Sequence, residues 1–284
     1  MLAEQIAANL ALINWTVLVG LAVGSFSVVT FARLVTPATR GYLAFTACCA
    51  AAFAVLAWLS DTGLGPLAGG TPVTADASFD LPRRVSLAAF TLFALVSTVA
   101  IARGRRAMLP LLGGSAAGAA TLLLGALTWG GGWLGAIPLA IQLVVLALAT
   151  GGVFAAMILG HWYLVTPRLP EATLVLVARR LLWVVGLQVV LFVVWVGFGA
   201  GPGAGGTSGG AGPFGALLGP WALFVWLRLI VGLVFPLVVS WAAVQTARTR
   251  SMESATGLLY IDVGAIASGT ILAAGLYFGA GLLV

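Results

Sequence analysis

The sequence is poor in nearly every side chain that soluble proteins use for chemistry. Charged residues make up 7% of its 284 positions, lysine is absent, and the chain has one histidine and two cysteines. A soluble domain carries about 25% charged and about 45–50% apolar residues, whereas this chain is 62% hydrophobic. No water-soluble fold hides that much apolar surface. The composition therefore excludes a soluble enzyme, a disordered chain and a nucleic-acid binder.

The same scarcity limits metal and cofactor chemistry. Haem held by two histidines is excluded within one chain, because His161 is the only histidine. Met157 precedes it on the same helical run and so cannot supply the opposite axial ligand. Zinc and di-iron sites lack ligands, a chain without lysine has no P-loop, and the adjacent Cys48 and Cys49 bridge poorly. We therefore expect no haem or metal, with haem left open only where a second chain supplies a ligand.

Long apolar runs dominate the rest of the chain. A membrane-spanning helix needs about 20 apolar residues, whereas a barrel strand needs only about 10. Eight runs reach helical length: 9–32, 42–60, 86–102, 108–128, 137–164, 174–199, 217–246 and 255–283. The first is too long for the core of a signal peptide and is interpreted as a retained span. The sequence therefore predicts an all-α polytopic membrane protein with eight transmembrane helices.

The arginines are distributed unequally between the two sets of loops. Ten lie in or beside the loops that follow spans 1, 3, 5 and 7: Arg33, Arg40, Arg103, Arg105, Arg106, Arg168, Arg179, Arg180, Arg248 and Arg250. The other loops carry only Arg83 and Arg84, and Arg228 lies inside span 7. Cytoplasmic loops of membrane proteins are enriched in arginine and lysine. We therefore predict an inner (plasma) membrane protein with both termini on the non-cytoplasmic side, and we interpret the net charge of +6 as a topology signal.

Short motifs recur between the two halves of the chain. Span 1 ends in Leu-Val-Thr-Pro at Pro37, and span 5 ends in the same four residues at Pro167. Span 3 exits through Ala-Arg-Gly-Arg from Ala102, and span 7 through Ala-Arg-Thr-Arg from Ala247. Four spans per repeat is an even number, so the halves have the same orientation in the membrane. The motifs predict two parallel four-helix repeats, 1–132 and 133–284.

Two titratable residues lie inside spans 5 and 8. Inserting an ionisable side chain at the bilayer centre costs about 2.5–3.5 kcal/mol of free energy, so such residues are rare and indicate a functional site. From the cytoplasmic ends of the predicted spans, His161 lies about 9 Å deep and Asp262 about 10 Å deep, which allows them to pair if the spans adjoin. Tyr163, Gln188 and Tyr260 are predicted in the same layer.

A histidine–carboxylate pair with tyrosines can hold a quinone carbonyl and pass its proton. We therefore interpret His161 and Asp262 as a catalytic proton relay and the other three residues as substrate-binding. The alternative is a histidine bonded to a backbone carbonyl and an aspartate capping a broken helix.

A second polar group lies nearer the non-cytoplasmic side. Arg228 is about 10 Å inside span 7, and Asn14 and Gln142 fall at similar depths on spans 1 and 5. These three are candidates for binding an anionic or carbonyl group of a substrate. The alternative for Arg228 is that its side chain extends along the span to the membrane surface. Pro236 is expected to kink span 7 or to break its hydrogen-bond ladder.

Two stretches resemble the membrane subunits of polysulfide-reductase-type respiratory enzymes, the NrfD-like family. One is Trp-Thr-Val-Leu-Val-Gly-Leu-Ala-Val-Gly at 15–24, and the other is Phe-Val-Trp-Leu-Arg-Leu-Ile-Val-Gly-Leu-Val-Phe-Pro at 224–236. The number of spans, the duplication and the outward termini fit that family, but the segment from Gly160 to Pro167 is not one of its patterns. The resemblance implies a quinone-binding subunit without its own cofactor that docks an iron–sulfur partner.

The leading hypothesis is thus a membrane subunit of a respiratory electron-transfer complex that handles quinone or protons beside iron–sulfur or cytochrome subunits. Whether such a subunit is itself part of an enzyme's active site stays open. The alternatives are a secondary transporter of a small solute, with a midplane site near Pro236, and a structural subunit of a membrane complex.

Overall fold

The computed structural model describes residue 4 and residues 7–65, 67, 69–166, 171–204 and 212–284. These residues form eight long helices and no strand, and each helix is long and apolar enough to cross a membrane. The all-α polytopic prediction is confirmed. The helices are α1 Leu10–Val35, α2 Arg40–Thr62, α3 Asp80–Ala102, α4 Met108–Trp129, α5 Trp133–Val165, α6 Ala172–Phe198, α7 Ala222–Arg248 and α8 Met252–Ala280. Pro167, Arg168 and part of the glycine-rich stretch after α6 lie outside the described residues.

The third helix begins earlier than its apolar run. The sequence places its start near residue 86, but the helix starts at Asp80, directly after a 3₁₀ turn over Ala77–Phe79. Pro82 does not prevent this, because the first turn of a helix has no intrahelical partners for its N–H groups. The extra turns carry Arg83 and Arg84 out of the predicted loop and into the helix.

The 3₁₀ turn is tied to the end of α4. The Asp76 carboxylate accepts hydrogen bonds from the Ser78 N–H at 3.0 Å and from the Ser78 hydroxyl at 2.6 Å, which hold the pKa of Asp76 below its usual range. The Asp76 N–H donates to the carbonyl of Thr128 at 2.8 Å. The start of α3 is thus positioned against the end of α4.

The helices pack as two four-membered rings. In the first ring each of the helices from α1 to α4 contacts the next one, and α4 also contacts α1. In the second ring the helices from α5 to α8 make the corresponding contacts, and α8 contacts α5. The rings meet along α1 and α5, and α4 also contacts α5 while α8 contacts α1. This adjacency is the one expected of two parallel repeats, 1–132 and 133–284, and the duplication itself stays a prediction.

Helices α1 and α5 touch through their backbones. A Cβ atom added to Gly24 would lie 1.8 Å from the carbonyl oxygen of Ala147, and one added to Gly151 would lie 2.5 Å from the Cα atom of Gly24. The Ser25 hydroxyl donates to the carbonyl of Gly151 at 3.2 Å. Small residues allow helices to approach this closely in lipid, so the contact between the two rings is set here.

The helical ladder of α7 is interrupted. Residues Ile230–Val234 are π-helical and end two residues before Pro236, so the expected disturbance near this proline is present. At the same level α7 and α8 make a close contact, because a Cβ atom on Gly232 would lie 2.6 Å from the Cα atom of Gly269. The interruption therefore lies against α8 inside the second ring.

Candidate functional site

The predicted pair of His161 and Asp262 is not formed. His161 is exposed, whereas Asp262 is completely buried. Helices α5 and α8 do adjoin, but their ends differ from the predicted spans. His161 lies four residues before Val165 and Asp262 ten residues after Met252, which are about 6 Å and about 15 Å from the respective helix ends. The two side chains are therefore at different depths.

The predicted layer around that pair is also not assembled. Tyr260 is 50% exposed on the outside of α8. Gln188 lies sixteen residues into α6, about 24 Å from its start, and bonds to residues nearer the other membrane face. Tyr163 is buried. The predicted depths of His161 and Asp262 agree because the apolar run places the start of span 8 at residue 255, whereas α8 begins at Met252. Gln188 is deep by either boundary, since it lies about 21 Å from the start of its apolar run at residue 174.

Asp262 has its own buried surroundings. Its Oδ2 atom accepts a hydrogen bond from the Ser240 hydroxyl of α7 at 2.5 Å, and its Oδ1 atom is buried without a hydrogen-bond partner. No arginine or histidine of the described residues lies within 4.0 Å of this carboxylate. The carboxyl group thus has one open acceptor position in the interior of the second ring.

Arg228 is buried rather than extended to the membrane surface. Its side chain is 1% exposed, so the alternative of surface extension is wrong. Nη2 donates to Oε1 of Gln188 at 3.3 Å, and Nη1 donates to the carbonyl of Gly232 at 3.1 Å. Pro236 has no N–H for that carbonyl, which lies four residues earlier, so the guanidinium replaces the missing donor. The Nε atom is buried without a partner.

The other two residues predicted with Arg228 lie elsewhere. Gln142 is buried, donates to the Val284 carbonyl at 2.7 Å and accepts from the Trp195 indole at 3.2 Å. Asn14 is exposed, and its Nδ2 atom donates to the Ser60 hydroxyl at 3.3 Å. Of the predicted substrate-binding set, the structure therefore brings together only Arg228 and Gln188.

Sequence reasoning missed a buried ion cluster centred on Asp61. This residue was placed in a loop, but it lies in the last turn of α2 and is completely buried. Its carboxylate accepts from the Trp15 indole at 2.8 Å, from Nη1 of Arg83 at 2.6 Å and from Nε of Arg84 at 3.0 Å.

Two tryptophans enclose the Arg83 guanidinium. Its Cζ atom is 5.5 Å from the ring centroid of Trp15 and 4.7 Å from that of Trp129, close enough for cation–π attraction. Nη2 of Arg83 also donates to Asp80 at 3.1 Å. The cluster joins α1, α2, α3 and α4 and leaves its central carboxylate fully neutralised.

Aligning the shared motifs allows the polar contacts of the two rings to be compared. Aligning Ala102 with Ala247 pairs Arg83 with Arg228, and aligning Pro37 with Pro167 pairs position 15 with position 145. In the first ring an acceptor on the second helix, Asp61, contacts positions 15 and 83.

In the second ring the acceptor on the second helix is Gln188. It accepts from Arg228, and its Nε2 atom donates to the carbonyl of Val145 at 3.3 Å. The carboxylate that neutralises the arginine in the first ring is thus replaced by a neutral amide in the second. The shared motif around Ala102 and Ala247 was the signal that would have found Arg83.

Asp262 and Arg228 are therefore two polar centres of the second ring that form no ion pair with any described residue. Seven residues of α8, about 10 Å, separate Asp262 from Gly269, which packs against Arg228. Between α5 and α8 the hydroxyls of Thr150 and Thr270 lie 2.7 Å apart. Within the described residues no three histidine, cysteine or acidic side chains cluster as metal ligands. The described part of the second ring thus brings a carboxyl group, a guanidinium group and two hydroxyl groups into its interior.

No family model, no curated protein and no solved structure matches the chain. The NrfD-like resemblance thus stays a prediction from the sequence.

Proposed function

We propose that the chain is an integral membrane subunit of a respiratory electron-transfer complex that handles protons and has no redox cofactor of its own. The observation that carries the proposal is Asp262, an acidic side chain that is buried inside the helices and forms no ion pair with any residue that the structure describes. We propose that the Asp262 carboxyl group binds and releases the proton that the subunit handles.

The contrast with Asp61 supports this assignment. Both carboxylates are completely buried, but Asp61 is neutralised by Arg83 and Arg84, as expected of a structural ion pair. Asp262 has only the Ser240 hydroxyl and an open Oδ1 atom. Intramembrane carboxyl groups are expensive and are characteristic of proton and ion pathways. A carboxyl group that can accept a proton at Oδ1, beside a hydroxyl that can pass one, fits that role.

In this proposal a quinone is the redox carrier of the complex, and it does not bind between His161 and Asp262. His161 is exposed and distant in depth from Asp262, so we assign the proton role to Asp262 alone. We further propose iron–sulfur or cytochrome partner subunits, on the basis of the NrfD-like resemblance.

The orientation follows from the arginines. We propose that the chain lies in the inner (plasma) membrane with the loops after α1, α3, α5 and α7 in the cytoplasm and both termini on the other side. The support is the distribution of arginines along the sequence, with ten in or beside these loops against Arg83 and Arg84 near the opposite ends of the helices.

The decisive experiment compares Asp262→Asn with Glu253→Gln, an exposed acid in the first turn of the same helix. The tagged chain is purified with whatever subunits accompany it and reconstituted into liposomes that contain a pH-sensitive dye. We expect Asp262→Asn to lower the rate of proton movement across the liposome membrane at least about tenfold, because a side-chain amide does not bind and release protons near neutral pH. Glu253→Gln should match the original protein.

Proton movement that survives Asp262→Asn would contradict the proposal. The visible spectrum and subunit content of the same preparation test the partners, since iron–sulfur or haem absorption is expected from copurified subunits and not from this chain.

A secondary transporter of a small solute is the second candidate, and a specific observation favours it. The π-helical segment of α7 places Arg228, a buried guanidinium without a carboxylate, beside a helix discontinuity of the kind that forms midplane substrate sites. Uptake of small organic anions by the chain alone, lost in Arg228→Gln and kept in the exposed Arg248→Gln, would support it. Full function of both Asp262→Asn and Arg228→Gln would indicate a structural subunit.

A further inference from the structure

A cleft on the membrane-facing surface lies between α1, α5 and α6. Its volume is about 540 Å³, within the roughly 300–1,000 Å³ range of small-molecule sites. We call it the α1/α5/α6 cleft. Its lining comprises Ser27, Val28, Phe31, Leu148, Gly152, Val177, Arg180, Leu181 and Val184.

The lining is apolar except for one serine and one arginine. The Ser27 hydroxyl donates to the carbonyl of Val23 at 2.7 Å, so its hydrogen is already used. Arg180 lies eight residues into α6, about 12 Å along the helix, and Val184 lies one turn deeper. A ligand in the cleft therefore meets one cationic group near the arginine-rich face and only apolar side chains further in.

The charge of Arg180 is not neutralised by the protein. Its side chain is exposed, and no carboxylate of the described residues lies within 4.0 Å of it. The nearby acid Glu171 is instead paired with Arg250 at 3.4 Å. Basic residues at a membrane surface attract anionic lipids, and each contributes measurably to their binding. The cleft thus combines the guanidinium of Arg180 with an apolar surface that begins beside it.

We propose that the α1/α5/α6 cleft binds an anionic phospholipid. The phosphate contacts the Arg180 guanidinium, and one acyl chain lies along Leu148, Leu181 and Val184. This orientation matches a lipid of the leaflet on the arginine-rich side, with its headgroup outward and its chain toward the midplane. A quinone fits less well, because its second carbonyl would lie among apolar side chains without a donor.

The test uses Arg179 as a matched control, since it is the adjacent exposed arginine but does not line the cleft. Native mass spectrometry of the purified protein measures retained dioleoyl phosphatidylglycerol against dioleoyl phosphatidylcholine. We expect the original chain and Arg179→Gln to prefer the anionic lipid. In Arg180→Gln the ratio of retained phosphatidylglycerol to phosphatidylcholine should be about fivefold lower.

A second variant tests the acyl chain separately. A Cβ atom on Gly152 would make only an ordinary contact, 3.8 Å from Leu181, so Gly152→Leu is expected to fill the cleft without a backbone clash. It should reduce retention of both lipids, whereas Arg180→Gln alters only the headgroup preference. Val184→Phe fills the same cleft from α6 and replaces Gly152→Leu if that variant fails to fold.

Three outcomes would overturn the proposal. These are equal retention of the two lipids by the original chain, equal losses in Arg180→Gln and Arg179→Gln, or displacement of the lipid by a quinone in a manner insensitive to Arg180. None of them depends on proton movement, so the site stands or falls separately from the proposed function.

Discussion

Two arginines at corresponding positions meet different partners in the two rings. Arg83 shares a buried carboxylate with Trp15, whereas Arg228 bonds to the amide of Gln188 and to a backbone carbonyl. A buried ion pair is costly to break because the remaining partner is left as an unpaired buried charge. The arginine of the first ring therefore joins helices, whereas Arg228 of the second ring has no acidic partner among the described residues.

The first prediction at this scale concerns Asp61→Asn. The change should lower the free energy of unfolding by up to about 3–5 kcal/mol, because the buried Arg83 would keep only the partly exposed Asp80 as a counter-charge. Circular dichroism during denaturation in mixed micelles measures the loss.

Arg84→Gln is the matched control. This residue bonds to the same carboxylate but is 41% exposed, so its removal should cost about 0–1 kcal/mol. Similar losses for the two variants would show that Asp61 does not act through a buried pair.

Glycine contacts decide how the elements fit together. Gly24 and Gly151 allow α1 and α5 to touch, and Gly232 and Gly269 do the same for α7 and α8. Dispersion contacts of this kind are a main source of helix association in lipid, where apolar side chains gain little from leaving the bilayer. These glycines thus set how closely α1 lies against α5 and α7 against α8.

The prediction at the scale of elements is that Gly24→Ala destabilises the contact between the rings. Its Cβ atom would overlap the Ala147 carbonyl, which is backbone and cannot rotate away, so we expect a loss of about 1–3 kcal/mol.

Gly264→Ala provides the comparison, because a Cβ atom at Gly264 of α8 meets nothing within 4 Å. That variant should be unchanged or stabilised by up to about 1 kcal/mol through helix propensity. Thermal unfolding is monitored by tryptophan fluorescence. Equal changes in the unfolding temperature of the two variants would contradict a backbone contact at Gly24.

The whole molecule has one arginine-rich face and one face with few charges. Our orientation predicts opposite labelling of cysteines placed on the two faces, in a chain whose Cys48 and Cys49 are first changed to serine. Gly69→Cys, on the exposed loop between α2 and α3, should react with a membrane-impermeant maleimide in intact spheroplasts. Thr249→Cys, at the end of α7, should react only after permeabilisation. The reverse pattern would invert the topology.

Composition and apolar run length are enough to predict the class of this protein and the eight long helices that the structure describes. Runs of about 20 apolar residues have one way to satisfy their backbone in lipid, so helix existence follows from local composition alone. The sequence also identified Arg228, Gln188 and Asp262 as polar groups within spans. It placed the start of α3 too late and Asp61 in a loop, because helix ends depend on capping and on neighbours rather than on apolar runs.

Which polar side chains meet became clear from the packing of the helices. This packing paired Asp262 with Ser240 and Arg228 with Gln188, left His161 exposed, and assembled the cluster around Asp61. The physical reason is that a contact between helices requires both a common depth and a common facing direction. Those two quantities are set by the close packing of one helix on another, and the sequence of a single span contains no record of its neighbour.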